Sequence, residues 1–177
     1  FWTKKQKKTD LPKQFVDNMS SNIIDDPIEI ATKFNDYFVN LGPKLAKNIN
    51  NTNTAFDKYL TESIPNSFFL EAVTEHEVRN EIGKINATKS PGYDGLGAKI
   101  IKLVANEISK PITQIFNQTF LTGNIPHQLK IALVTPIHKS NEDNKFHNYR
   151  PISVLTCFAK LLEKIMYKRL ISFVEKK

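Results

Sequence analysis

Lys139 and Arg150 are the residues whose placement most invites chemistry. The stretch from Ala132 to Arg150, ALVTPIHKSNEDNKFHNYR, runs straight into PISVL. Two short apolar runs rich in β-branched residues flank a polar loop, the pattern of a β-hairpin. Lys139 stands where the first run enters the loop and Arg150 where the second leaves it. Two cations side by side on paired strands form a clamp for a polyphosphate or a nucleic-acid backbone. Pro136 and Pro151 stiffen the strands, and a pre-ordered charge clamp loses less entropy on binding. Asn141, Glu142, Asp143 and Asn144 make the loop tip polar, as a mobile lid requires. The plain alternative is an edge hairpin whose exposed lysine guards against aggregation.

Two further places could touch an anion. In KSPGYDG, Lys89 to Gly95, Lys89 and Ser90 stand beside Gly92. Glycines that expose backbone N–H groups can hold a phosphate or a single strand; the same residues also make a tight turn between helices. Lys160, Lys164 and Lys168 recur about once per helical turn, opposite much of an apolar stripe. They form either a solvated face or a stripe that tracks phosphates.

No catalytic centre accompanies these cations. Two-metal nucleotidyl transfer needs carboxylates that hold ions roughly 3.5–4 Å apart. Asp94, Glu142, Asp143 and Glu163 are instead scattered over a turn, a loop tip and a helix, with no Asp pair ending an apolar strand. The four histidines, His76, His127, His138 and His147, lack metal-ligand spacing and any nearby nucleophile motif. The sequence assigns no catalytic residue and no metal ligand.

The elements that must position the clamp are mostly helical. The chain has 177 residues, is 40% hydrophobic and carries a net charge of +7, enough apolar content for a core and a basic balance that suits a nucleic-acid partner or a lysine-rich surface. Cys157 is the lone cysteine, which excludes a disulfide framework and fits a reducing, intracellular compartment. No apolar run reaches the roughly 18 residues of a membrane span. Residues 1–24, with the basic run Lys4 to Lys8, read as a flexible segment or linker. Asp25, Asp26 and Pro27 then start a helix with Ile30, Phe34, Tyr37, Phe38, Leu41 and Leu45 in one stripe, which Pro43 should bend or interrupt. NINNTN, Asn48 to Asn53, reads as a boundary between residues 1–53 and a main domain at 54–177; residues 56–72 carry no clear signal.

Thr74 and Glu77 make a capping-box signature ahead of Val78, Ile82 and Ile85. A helix through Ile100, Ile101 and Val104 follows the turn. A second, started by Ser109 and Pro111, buries Ile112, Ile115, Phe116 and Phe120 and closes at Gly123. After Thr156 a long helix points Phe158, Leu161, Leu162, Ile165, Met166, Leu170 and Phe173 inward. The predicted class is α+β, mostly helical with one β-hairpin. No GxGxxG follows a strand and no Walker A loop occurs, which disfavours Rossmann and P-loop readings.

Taken in order, KSPGYDG, IFNQTFLTGNIPHQLKIALVTPIHK and NYRPISVLTCFAKLLEKIMYKRL resemble the N-terminal blocks of reverse transcriptases from non-LTR (LINE-like) retrotransposons. Those blocks read KSPGPDG, then a helix ending G-x-x-P and a strand ending P-I-x-K, then YRPISLL with a K-x-x-E-K helix; Tyr93 replaces a proline. Trp2 and FNDYF, Phe34 to Phe38, look like the segment upstream of the polymerase. The resemblance is strongest from Ile82 to Leu170. It implies the fingers of a right-hand polymerase fold with an N-terminal extension and without the palm. Lys139 and Arg150 match the hairpin cations that contact the dNTP triphosphate. Lys89, Ser90, Gly92, Lys160, Lys164 and Lys168 are nucleic-acid-binding candidates. The implied partners are RNA template, DNA primer and dNTP, with Mg²⁺ held by palm aspartates of a full-length parent in the nucleus and cytoplasm. Both ends of the chain look cut, and those aspartates do not occur in it, so the fragment alone is expected to be inactive. The alternative is a non-enzymatic RNA-binding module derived from a decayed or repurposed element.

Overall fold

The computed structural model describes residues 11–17, 22–50, 58 and 67–175. The Lys4–Lys8 run, Trp2, residues 51–53 of the NINNTN loop and most of 56–66 lie outside them. The described chain is α+β and mostly helical, with two small antiparallel sheets. It divides into two compact units, one of residues 11–50 with 135–152, the other of residues 58, 67–134 and 153–175.

In the first unit, β1 (Phe15–Val16) pairs antiparallel with β2 (Ile23–Ile24), Phe15 opposite Ile24 and Val16 opposite Ile23. At residues 15–16 and 23–24 this corrects the reading of residues 1–24 as a flexible segment. Phe15 is completely buried and Ile24 nearly so, so an apolar pair inside a polar stretch is held by packing that its neighbours in sequence do not announce. α1 (Pro27–Ala46) begins as expected: Asp26 caps it by accepting the Glu29 N–H at 3.0 Å, and Pro27 occupies the first turn. Pro43 neither ends nor interrupts the helix. The carbonyl it deprives of a partner belongs to Val39, in an exposed stretch where water can take its place. Only Ile30 and Phe34 of the stripe are fully buried, while Leu45 stands largely in solvent. Lys33 reaches Asp17 just beyond β1, Nζ to Oδ2 at 2.7 Å; the hydrogen bond and the charge of Asp17 raise the lysine pKa.

The expected hairpin is β3 (Ala132–His138) and β4 (Tyr149–Leu155). Its tip packs with the N-terminal residues, so the boundary expected after Asn53 is crossed by a hydrophobic cluster. Phe15, Ile24, Ile30, Phe34, Phe146 and Tyr149 bury one another. Phe15 stacks on Phe146 with ring centroids 5.0 Å apart, and Phe34 meets Phe146 and Tyr149 edge-on at 4.8 and 5.1 Å, the geometry aromatic quadrupoles favour.

The second unit is built from α2 (Glu75–Gly83), α3 (Ala98–Leu103), α4 (Ala105–Thr122) and α5 (Cys157–Val174). Val78 and Ile82 of α2, Ile101 of α3, Ile112 and Phe116 of α4, and Leu161, Leu162 and Ile165 of α5 form its core. Thr74 and Thr156 cap α2 and α5 by accepting the N–H three residues on, each at 3.1 Å. Gly123 ends α4 in the left-handed region at φ +72°. α4 starts at Ala105 rather than at Ser109, and Pro111 lies inside it on the solvent side. The Ser109 hydroxyl donates to the Ala105 carbonyl and Thr113 to the Ser109 carbonyl, so side chains stitch the turn that proline weakens. Asn117 clasps the chain before α2 by accepting from Val73 N–H at 2.6 Å and donating to its carbonyl at 3.0 Å.

The aromatic cluster carries the first unit. Phe15→Ala is expected to destabilise it by about 3–4 kcal/mol, seen as a lower urea midpoint together with lost near-ultraviolet dichroism of the clustered rings.

Candidate polyanion site

Two contacts establish the register of the hairpin. The Lys139 N–H donates to the Asn148 carbonyl at 2.8 Å, and the His138 and Tyr149 rings lie 5.2 Å apart. Lys139 is therefore opposite Asn148, His138 opposite Tyr149 and Pro136 opposite Pro151. In antiparallel strands hydrogen-bonded and non-hydrogen-bonded pairs alternate. The two prolines fall together in a non-bonded pair, where the N–H each lacks would point away from the partner strand. Neither breaks the ladder, and both restrict it.

The same register puts Lys139 and Arg150 on one face as diagonal neighbours, roughly 7 Å apart at the backbone. Both are exposed, and among the described residues neither side chain makes an ion pair or hydrogen bond. Ile137 and Ile152 lie on that face, each half exposed. Tyr149 points from the opposite face into the aromatic cluster. The cations thus look outward from a sheet that is packed from behind. The loop between them is held rather than free: its carbonyls at Glu142, Asp143 and Asn144 accept from Asn148 Nδ2 at 2.8 Å, Tyr149 Oη at 2.5 Å and Val16 N–H at 2.9 Å. The polar tip expected of a mobile lid is therefore tied to the body of its unit. Burial, with help from Asp143, raises the Tyr149 phenol pKa, so this donor stays protonated.

KSPGYDG resolves into a closed turn. The Gly95 N–H bonds to the Gly92 carbonyl at 3.1 Å and the Leu96 N–H to Asp94 Oδ1 at 3.1 Å, so these groups are satisfied internally. Gly92, expected at the nucleic-acid surface, is instead buried against the backbone that starts α5. A Cβ there would lie 2.6 Å from Thr156 N and 2.7 Å from Thr156 Cα. The missing side chain is a packing requirement. Lys89 and Ser90 remain exposed, and the Tyr93 hydroxyl, at the departure from the resembled pattern, donates to the Gln128 carbonyl at 3.0 Å.

The lysines of α5 do not share one environment. Lys164 and Lys168 reach across to Glu81 on α2: Lys164 Nζ lies 2.9 Å from Oε2 and Lys168 Nζ bonds Oε1, while Lys84 Nζ bonds Oε1 from within α2 at 3.0 Å. Glu81 is 1% exposed. Burial alone would push its pKa up, but the close ammonium groups of Lys168, Lys164 and Lys84 outweigh it and hold the carboxyl at about 2. Lys160 stands apart from this group beside Cys157, whose thiol burial pushes up despite that lysine; Cys157 is a weak donor to the Leu96 carbonyl rather than a nucleophile. Arg169 is fully committed, with both oxygens of Glu77 at 3.0 Å, the Glu71 and Ala72 carbonyls at 2.7 and 3.1 Å, and the Phe120 ring below. Glu77 therefore serves Arg169 instead of completing the capping box.

Sequence reading missed Glu81. Its signal was available: residue 81 falls on the apolar stripe of Val78, Ile82 and Ile85, and a carboxylate on a buried stripe demands partners. Among the described residues no group of three or more His, Cys, Asp or Glu side chains comes together. No helix among them is long and apolar enough to cross a membrane.

The basic α+β chain thus presents an outward cation pair on a braced hairpin. The chain is 32% identical over 117 residues to the RNA-directed DNA polymerase from mobile element jockey of Drosophila melanogaster, covering 66% of this chain and 13% of that protein. It is 29% identical to the probable RNA-directed DNA polymerase from transposon X-element of the same fly, covering 56% of this chain and 11% of that protein. It is 30% identical to a fly retrovirus-related Pol polyprotein from a type-2 retrotransposable element, covering 58% of this chain and 9% of that protein. No protein-family model matches the chain. The chain is similar to the RNA-directed DNA polymerases of non-LTR retrotransposons, and it spans about a tenth of the length of these curated relatives.

Two substitutions test the packing just described. Gly92→Ala should destabilise the second unit by about 1–3 kcal/mol, because backbone must move, whereas Gly83→Ala, with open space around it, should be neutral or slightly stabilising in the same thermal melt. Glu81 titrates at about 2 when folded against an ordinary 4.5. Its stabilisation is therefore complete above about pH 4.5 and is lost as the pH falls toward 2. Glu81→Gln should lower stability at pH 7 by about 2 kcal/mol and flatten that acid limb in urea unfolding followed across pH.

Proposed function

We propose that the chain is the fingers part of an RNA-directed DNA polymerase of a non-LTR retrotransposon, with residues 1–53 as an N-terminal extension, and that its hairpin holds the incoming dNTP over RNA template and DNA primer. The observation that carries this reading is the pair Lys139 and Arg150, exposed and without partners among the described residues on one face of a rigid hairpin. The names of the relatives support the substrate class. Magnesium, held by carboxylates of the polymerase palm, would supply the charge that activates the primer hydroxyl and the leaving group. The work of this chain is binding and orientation. Lys139 offers a mobile point charge and Arg150 a planar fork that matches two phosphate oxygens at once. Together they neutralise the β- and γ-phosphates and align the α-phosphate for attack. Stiff strands and a tied loop keep both cations in place before the nucleotide arrives, so little order has to be gained on binding.

The test uses a full-length polymerase carrying Lys139→Ala or Arg150→Ala. Removing one charge-assisted contact should raise the KM for dNTP about 10- to 100-fold, with primer–template affinity unchanged. An unchanged KM in both variants removes the clamp from the reading.

A further inference from the structure

The Glu81 centre has more positive charge than a buried carboxylate needs. One ammonium would neutralise it; three converge, from Lys84 on α2 and from Lys164 and Lys168 on α5, and the group keeps a formal surplus of two positive charges. Their side chains are 60%, 43% and 43% exposed. Each ammonium has three N–H donors and gives only part of that capacity to Glu81, with the rest open to solvent. Three flexible stems have thereby been ordered in advance, which is the entropic part of gripping a phosphate backbone.

The same surface continues into a cavity of about 490 Å³ whose wall includes Lys168, Phe68, Phe69 and Phe173. Phe68 and Phe173 sit with ring centroids 5.5 Å apart. Phe69 is 77% exposed, an unusual setting for a large aromatic. Arg169 also lines the cavity, but its donors are committed to Glu77, Glu71 and Ala72, so it braces the wall. A cation row beside exposed aromatic faces is the combination that binds single strands, backbone on the charges and an unstacked base on the rings. A duplex, whose base faces are hidden, would use only the cations.

We propose that Lys84, Lys164 and Lys168, ordered by Glu81, grip the backbone of single-stranded RNA while Phe68, Phe69 and Phe173 take one of its bases. This rests on the reading of the chain as part of an RNA-copying enzyme, and it assigns RNA contact to residues other than those of the nucleotide clamp. Glu81 is a positioning residue here and the lysines are the contacts.

The probe is a labelled 12-nucleotide single-stranded RNA of mixed sequence, titrated onto the whole chain from 0.05 to 0.5 M salt, with the same strand annealed to its complement for comparison. Lys84→Gln and Lys164→Gln each leave two lysines on Glu81, so the fold is retained, as a thermal melt checks. Each should reduce the slope of log affinity against log salt by about 0.7 and weaken binding at 0.1 M salt about fivefold. Arg79→Gln, an exposed cation of α2 paired with Glu75, should leave the slope unchanged. Phe69→Ala should weaken single-strand binding about tenfold and leave duplex binding as it was. Equal slopes in the lysine variants and wild type overturn the proposal, as does a Phe69→Ala loss shared by the duplex. No RNA binding at 0.05 M salt also overturns it, while the KM of the hairpin variants judges the nucleotide clamp separately.

Discussion

A two-stranded sheet is marginal in water by itself, so the hairpin that carries Lys139 and Arg150 depends on what packs behind it. That support is the aromatic cluster of Phe15, Phe34, Phe146 and Tyr149. Tyr149 belongs to β4 and is also a member of the cluster, so the strand that bears Arg150 is anchored one residue away from the cation. Asn148, Tyr149 and Val16 then tie down the loop carbonyls at Glu142, Asp143 and Asn144. Two side chains without an ion pair or hydrogen bond among the described residues are held in place because their neighbours are well packed.

The second unit solves a different problem, the buried carboxylate of Glu81. Dehydrating an anion is unfavourable, and the three lysines that compensate it come from two helices, so the charge centre also fixes how α2 lies along α5. Arg169 and Glu77 repeat the device nearer solvent, and there the partners match one to one. The contrast separates the two groups physically. A matched pair returns the local charge to zero and has nothing left to offer a ligand, while the Glu81 centre stays cationic after every internal contact is made.

Much of the architecture was readable from local chemistry. Asp26, Thr74 and Thr156 are caps because a short oxygen-bearing side chain can reach the third N–H of a new helix, and Gly123 ends α4 because the left-handed backbone there suits glycine. β-Branched runs around a polar loop announced the hairpin. The misreadings share a cause. Pro43 reads as a bend or break and Pro111 as a helix start, but each lies inside its helix on the solvent side, where the orphaned carbonyl can be hydrated. Nothing local marks Phe15 as a core residue, because its aromatic partners lie about 20 and 130 residues away.

Sequence alone determined most of the inventory: where the longer helices lie, that residues 132–155 form a hairpin, and that Lys139 and Arg150 flank one turn. It also carried the ordered blocks by which the chain resembles its relatives, since those depend on residue identity and spacing only. Tertiary structure decided which cations are available. Lys160, Lys164 and Lys168 are equivalent on a helical wheel, yet two of them serve Glu81, a residue more than 80 positions earlier. Gly92 looked like a phosphate contact until Thr156 came to lie against it. Charge is a property of a residue, but whether that charge is already satisfied depends on distances that only the folded chain creates.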